Sequence, residues 1–373
     1  MARVVDLTAC SGAYGTRLLA EAGHDVVRVE SPSGDALRRL GPFLDDAPDL
    51  ERGAFHQFLN AGKRSLALNL DRADGRAALE ALVAGADALV ATLPLPLDEA
   101  ALRARNPRLV LTRVADAAPE LCAVARSGLM SLVGRPDGPP MLLGGHVVYA
   151  ASGLYVGVAT ALGLLQQQLT GAGSTTTVSV LECLESLMEQ AMIEYTFSGQ
   201  GTERRGSGGQ ITATSGAFPC RDGHFMISVG GQASNWVRFA EWLGDPALAD
   251  PALVAEEKRQ EQRDLIQERI RAWSRQFAKD ELVVEAQRRH LPASPVATPL
   301  DLAQDPQLIA RGFLTPLDHP LFGRLLFPRG AIATVFDRPL VPAPRLGEHN
   351  AVLLAELGYS PAEQASLVEG GAL

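Results

Sequence analysis

Residues 144–173 read GGHVVYAASGLYVGVATALGLLQQQLTGAG, and this stretch decides the fold. No charged residue occurs over residues 150–168. Small residues recur there at spacings of three or four, namely Ala150, Gly153, Gly157 and Ala161. Such spacing places them on one stripe of a helix, where a second backbone can approach closely. Because glycine inside a helix costs about 0.5–1 kcal/mol relative to alanine, the stripe indicates tight packing or the approach of a ligand.

The amino end of this helix is a candidate site. Backbone N–H groups at a helix start lack intrahelical acceptors and attract a negative group or a carbonyl oxygen. His146 and Tyr149 come just before the apolar run. His146 is either a base or a structural residue of its glycine loop. Tyr149 has a reference pKa of about 10, so it is a weak nucleophile that either donates a hydrogen bond or fills space.

The amino-terminal part of the chain alternates between strand and helix patterns. The predicted elements are a strand at Arg3–Leu7, a helix over 14–22, a strand at Asp25–Glu30, a helix over 71–85 and a strand over 88–91. This alternation predicts an α/β fold with a Rossmann-like parallel sheet. Residues 11–15 read SGAYG, only a fragment of the dinucleotide-binding Gly-x-Gly-x-x-Gly pattern. Cys10, beside this glycine turn, is either a packed residue or a nucleophile.

The composition changes near residue 200. Residues 199–209 are polar and rich in glycine, which is typical of a linker. Residues 218–229 predict a strand hairpin, and residues 256–278 predict one charged amphipathic helix. We predict a large α/β domain over 1–198, completed by 325–373, and a smaller α+β domain with linkers over 199–324.

Composition excludes several classes of function. The net charge of −9 argues against nucleic acid as a partner. The four cysteines are scattered and never form a Cys-x-x-Cys pair, which argues against a disulfide framework and fits a reducing cytoplasm. No cluster of His, Cys and carboxylates has the spacing of a metal site. The chain starts without a basic and apolar leader, and no apolar run reaches the ~20 residues that span a membrane. We therefore expect a cytoplasmic protein without membrane or metal.

Several motifs along the chain resemble those of family III CoA-transferases, the CaiB/BaiF group. They are Asn60-Ala-Gly-Lys-Arg-Ser65, Ser127-Gly-Leu-Met130, Gly134-Arg-Pro-Asp-Gly-Pro-Pro140, Thr170-Gly-Ala-Gly173, Asp305 to Gly312 and Pro342 to His349. The resemblance covers almost the whole chain. It implies acyl-CoA and a carboxylic acid as substrates, and an interlocked dimer in which each chain threads the other.

The resemblance also implies a site that has lost its nucleophile. In the transferases an Asp just before the small-residue helix attacks the acyl-CoA, and gap-free counting from Thr170 places Tyr149 there. Pro119 and Glu120 fall where racemases of the group show His-Asp, and the loss of this acid–base pair argues against racemisation. The implied CoA contacts are Gly12, Thr16, Arg38, Asn60, Lys63, Arg64 and a lid at Gly230 and Gly231. For the three cations, the alternative is that they hold loops and strands.

Three hypotheses for function stay open. In the first, this chain is a transferase subunit in a heteromer, and an Asp-bearing paralogue supplies the carboxylate. In the second, the scaffold has changed its chemistry to that of a dehydratase, hydrolase or acyl-transfer catalyst that uses His146, Tyr149 or Cys10. In the third, the protein binds acyl-CoA without catalysis. A homodimer is the simplest assembly that the resemblance implies.

Overall fold

The computed structural model describes residues 1–116, 118–204, 206, 212–230, 232–330 and 339–373. Two compact units make up the chain. The first comprises Met1–Leu129, Leu143–Ile193 and Pro306–Leu373, and the second comprises Met130–Leu142 and Glu194–Asp305. The domain boundaries predicted from the sequence stay a prediction.

The first unit is built on a parallel sheet of six strands. They are β1 (Arg3–Leu7), β2 (Asp25–Glu30), β3 (Arg64–Ala67), β4 (Ala88–Thr92), β5 (Val110–Ala115) and β6 (Ser174–Ser179). Their order is β3-β2-β1-β4-β5-β6, and every neighbouring pair is parallel. Val5 lies opposite Val27 and Leu89, and all three are fully buried. Successive residues of β1, β2 and β4 are buried on both faces of the sheet, as expected where layers cover both sides of it. The predicted Rossmann-like α/β fold is confirmed.

Helices connect these strands. Up to residue 198 the helices of the chain are α1 (Cys10–Glu21), α2 (Ala54–Leu59), α3 (Ala73–Ala84), α4 (Glu99–Arg105), α5 (Glu120–Arg126), α6 (Leu129–Leu132), α7 (Val147–Thr170), α8 (Val180–Glu185) and α9 (Glu189–Ser198), of which α6 and α9 cross the boundary between the two units. The helix α14 (Pro299–Ala303) belongs to the second unit. The carboxyl-terminal part of the first unit adds α15 (Pro306–Ala310), the antiparallel hairpin β10 (Leu314–His319) and β11 (Gly323–Pro328), α16 (Asn350–Glu356) and α17 (Pro361–Glu369). Leu353, Leu354 and Leu367 of the last two helices join the core of the sheet.

The small residues of α7 pack against α1. A Cβ atom on Gly15 would lie 2.3 Å from the carbonyl oxygen of Gly153 and 2.6 Å from the backbone nitrogen of Gly157. The packing explanation of the glycine stripe is therefore confirmed. By length and composition α7 is also apolar enough to cross a membrane. In this fold it packs against α1, β5 and β6 as a core helix of the first unit.

The second unit has its own core. Strands β7 (Gly216–Cys220), β8 (Gly223–Ile227) and β9 (Ala293–Pro295) form an antiparallel sheet, packed with α10 (Ala233–Leu243), α11 (Glu256–Glu261), α12 (Arg263–Ser274) and α13 (Lys279–Arg288). The prediction of one helix over 256–278 is wrong, because Gln262 leaves helical geometry at φ −110° and ψ 20°. The Arg259 guanidinium binds the carbonyl oxygens of Leu253 and Val254, which ties the short α11 to the preceding turn.

Candidate active site

The amino end of α7 is capped by His146. This residue adopts a left-handed conformation with φ 51° and ψ 44°, and its carbonyl oxygen accepts the N–H groups of Tyr149 and Ala150 at 3.0 and 3.2 Å. The N–H groups of Val147 and Val148 belong to the first turn and have no intrahelical acceptor. They are positioned to bind a carbonyl or carboxylate oxygen.

Aromatic rings hold the cap in place. The imidazole of His146 stacks on the Tyr149 ring with centroids 5.4 Å apart and planes at 9°. Phe55 of α2 packs against both rings, at 4.8 Å from His146 and 6.3 Å from Tyr149. The structure therefore brings together the two side chains predicted as catalytic, on a support that the sequence did not indicate.

A carboxylate lies beside this cap. Glu120 is the first residue of α5, and its Oε2 lies 3.2 Å from Nδ1 of His146. The Glu120 side chain is 20% exposed and that of His146 is 46% exposed. Asp116, just after β5, accepts a hydrogen bond of 2.5 Å from the Ser11 hydroxyl at the start of α1. Both acidic residues follow the carboxyl end of β5, which is where ligands bind in sheets of this kind.

In the sequence, Glu120 stands out only because it falls where racemases of the group carry a His-Asp pair. The signal that would have found it was available. Acidic residues directly after a buried parallel strand fall at the same sheet edge as the start of α7. Tyr149 occupies the position where the resemblance predicts an Asp, and the carboxylate of Glu120 contacts His146, which stacks on this tyrosine.

The phenol of Tyr149 is held in its protonated form. Burial raises the pKa of Tyr149 to about 12, and nearby Cys10, Glu120 and Asp116 push it in the same direction. Tyr149 is therefore a hydrogen-bonding group at neutral pH and not a phenolate nucleophile.

The surroundings of Cys10 are also unfavourable for a thiolate. Burial raises the pKa of the Cys10 thiol, and Asp35 and Asp116 raise it further against the opposing effect of Arg28. A reactive cysteine needs the opposite field, with positive groups that lower its pKa. The geometry therefore favours the packing interpretation of Cys10.

Lys63 lies at the centre of a buried network and is fully enclosed. Its Nζ donates to Asp6 Oδ2 at 2.9 Å, Asn60 Oδ1 at 2.8 Å, Thr16 Oγ1 at 2.8 Å and the carbonyl oxygen of Ala13 at 3.1 Å. Four acceptors occupy the three N–H groups of an ammonium. Burial lowers the pKa of Lys63 to about 8, although Asp6 opposes this. Three residues predicted to contact CoA therefore belong to one buried hydrogen-bonded cluster, namely Thr16 of α1, Asn60 and Lys63.

Asp6 was not singled out from the sequence, yet it anchors this cluster. Burial alone would raise the pKa of Asp6, but Lys63 and Arg28 hold it well below its usual range, helped by the Thr16 hydroxyl. Arg28 lies 3.0 Å from the other carboxylate oxygen. A buried charge of this kind persists only when it is paired and hydrogen-bonded.

The two other predicted cations are also paired within the chain. Arg38 is fully buried and forms a bidentate salt bridge with Glu30, with N–O distances of 2.8 and 2.9 Å. Arg64 bonds to Asp25 at 2.5 Å and to Glu356 at 2.8 Å, and its side chain is 22% exposed. These contacts support the structural alternative for both arginines; their binding of CoA stays a prediction.

The predicted glycine contacts have packing reasons. A Cβ atom on Gly12 would lie 2.5 Å from the Thr8 methyl group, and one on Gly230 would lie 1.9 Å from that of Thr212. Gly231 lies outside the described residues. The predicted lid therefore stays a prediction. Among the described residues, no group of three or more His, Cys, Asp or Glu side chains is arranged to hold a metal ion.

Comparison with known proteins assigns the scaffold. The sequence model described as CoA-transferase family III matches residues 2–350. The chain belongs to this family. CoA thioesters are the substrates of the family.

Individual relatives match along nearly their full length. A succinyl-CoA:mesaconate CoA-transferase from Haloarcula hispanica is 30% identical, with 95% of each chain covered. The succinyl-CoA:(R)-benzylsuccinate CoA-transferase subunit BbsE from Thauera aromatica is 29% identical, with 100% of this chain and 97% of that protein covered. The crystal structure of a CaiB/BaiF family protein from Brucella suis superposes with a TM-score of 0.79 at 28% identity, covering 95% of this chain and 98% of that one.

Proposed function

We propose that this chain transfers CoA between a CoA thioester and a carboxylic acid at the amino end of α7. The observation that carries the proposal is the family match over residues 2–350, combined with a carboxylate–imidazole pair at the helix start. Because two relatives are named for succinyl-CoA, we propose succinyl-CoA as the first donor to test.

The residues at the helix start suit a thioester. The N–H groups of Val147 and Val148 are placed to bind its carbonyl oxygen, on which negative charge develops during attack. The Tyr149 phenol remains protonated and adds a polar contact. Phe55 and the stacked rings of His146 and Tyr149 provide an aromatic surface beside these groups.

A heteromer is the second candidate arrangement. Over residues 154–169, α7 carries exposed apolar side chains, namely Leu154, Tyr155, Val158, Leu162, Leu165 and Leu169. A soluble monomer seldom exposes such a contiguous row. We propose that a second chain covers it, either another copy or a paralogue with an Asp at the position of Tyr149. The name of the Thauera relative, a subunit, supports the heteromer.

We also propose a cytoplasmic location, which all four cysteines support by being free thiols. Non-catalytic binding of acyl-CoA is an outcome of the test below.

The test is an exchange assay. The pure protein is incubated with succinyl-CoA and a panel of free carboxylic acids, and mass spectrometry records new thioesters. Formation of new acyl-CoA supports the proposal. The contrary outcome is tight CoA binding in calorimetry without any exchange, both for the protein alone and after co-purification with its native partners. That outcome would show a protein that binds CoA without catalysing its transfer.

A further inference from the structure

We propose that Glu120 is the carboxylate on which this chain carries the acyl group, a role that rests on the CoA transfer proposed above. Glu120 thereby replaces, from a different element of the fold, the Asp that is missing at position 149.

The position of Glu120 supports this role. Its Oε2 contacts the imidazole of His146, which in turn stacks on Tyr149, the residue at the family's nucleophile position. The imidazole of His146 therefore lies between the Glu120 carboxylate and Tyr149. The side chain is 20% exposed, so a substrate can reach it while most of its surface is shielded from water.

The other acidic side chains nearby are committed elsewhere. Asp6 is enclosed by Lys63 and Arg28, and Asp35 is paired with Arg28. Asp116 is bound by the Ser11 hydroxyl. Among the described residues, His146 is the only side chain that forms a hydrogen bond or an ion pair with the Glu120 carboxylate. A carboxylate without a permanent cation retains more of its nucleophilicity.

The chemistry balances without an added reactant. A Glu120 oxygen attacks the thioester carbonyl carbon, the carbon–sulfur bond breaks, and CoA leaves as a thiolate while a mixed anhydride forms. The thiolate then attacks the Glu120 carboxyl carbon and releases the donor acid, which leaves CoA as a thioester on Glu120. The acceptor carboxylate reverses these two steps, so the new acyl-CoA leaves and the Glu120 carboxylate is regenerated.

His146 acts as a positioning residue for this carboxylate. It occupies the N-cap position of α7, and its ring packs against the rings of Tyr149 and Phe55. Donation from Nδ1–H to Oε2 would aim the second carboxylate oxygen away from the imidazole. Its removal should lower kcat more than it raises KM.

The experiment traps the covalent thioester. Purified protein is mixed with succinyl-CoA and hydroxylamine, and peptide mass mapping searches for a hydroxamate. We expect the label on Glu120. Glu120→Gln should lose the label and lower exchange by at least ~10³-fold, a loss typical of removing a catalytic nucleophile. Glu369→Gln, at an exposed residue of α17, is the matched control and should behave as wild type.

A second variant separates failure of this inference from failure of the function. Tyr149→Asp places a carboxylate at the family position, and the double variant with Glu120→Gln should recover exchange. Full activity of Glu120→Gln alone would overturn the role of Glu120 and leave CoA transfer standing. So would exchange that requires an added Asp-bearing chain and labels that chain. Absence of exchange in wild type, in both variants and after co-purification with native partners would overturn the proposed function itself.

Discussion

The contact between α1 and α7 yields the sharpest quantitative prediction, through Gly15→Ala. The new methyl group would lie 2.3 Å from the Gly153 carbonyl oxygen, whereas ordinary contact begins at 3.4 Å. The helices must therefore separate by about 1 Å. Movement of α7 is opposed on its other side, where a Cβ atom on Gly163 would already lie 2.5 Å from Val110 of β5.

The magnitude follows from two opposing contributions. Overpacking of a tight core costs about 1–3 kcal/mol, and the upper value applies here because both obstructing atoms are backbone. Alanine in place of glycine inside a helix raises the free energy of unfolding by about 1 kcal/mol. The net loss should be about 2 kcal/mol. With an m value of about 3 kcal/mol per molar urea, the unfolding midpoint should fall by about 0.7 M.

The assay is urea unfolding followed by circular dichroism, with Gly85→Ala as the control. A Cβ atom on Gly85 meets only the Leu82 carbonyl oxygen at 3.9 Å, so its midpoint should match wild type. Exchange activity should fall by about 10²-fold in Gly15→Ala, because displacement of α7 moves His146 away from Phe55 and Glu120. Equal midpoints for the two variants would refute the proposed close packing.

Three further perturbations test the network, the pH response and the exposed face. Lys63→Met leaves Asp6 buried with one partner fewer, so the free energy of unfolding should drop by about 3–5 kcal/mol, and a midpoint equal to wild type would contradict the pairing. Burial, reinforced by Arg38, lowers the pKa of His56 to about 3 from 6.5, so below pH 6.5 the unfolded chain binds a proton that the folded chain does not. The free energy of unfolding should therefore fall by about 1.4 kcal/mol for each pH unit between 6.5 and about 3. Urea titrations of His56→Gln at several pH values should show a smaller dependence of this free energy on pH. The same dependence in the variant and in wild type would exclude the contribution of His56. Leu162→Glu, on the exposed face of α7, should weaken self-association or partner binding in analytical ultracentrifugation, whereas Leu300→Glu, at an equally exposed leucine, should not.

Much of the fold was predictable because its signals are local. The strands Arg3–Leu7 and Asp25–Glu30 have the predicted bounds, since short apolar runs between helical segments define buried parallel strands. The glycine spacing of α7 predicted close backbone approach, and Gly15 of α1 proves to be the partner. The helix predicted over 256–278 is divided at Gln262, where the backbone leaves helical geometry.

The candidate site was predictable only in part. His146 and Tyr149 were found because they stand at a recognisable helix start, and they lie together in the structure. The carboxylate was missed, because the expectation was tied to one position in the sequence. Glu120 lies 26 residues upstream of His146, and in the sequence only its place after the strand β5 indicates that it lies near the start of α7.

By itself the sequence determined the alternation of strands and helices, the glycine stripe, the family and the absence of Asp at position 149, since each of these is written in residue order. Only the tertiary structure decided which charges neutralise one another. Lys63 meets Asp6 across 57 residues, and Arg64 meets Glu356 across 292. Electrostatic pairing depends on distance in space and on burial, and folding sets both only after the whole chain has packed.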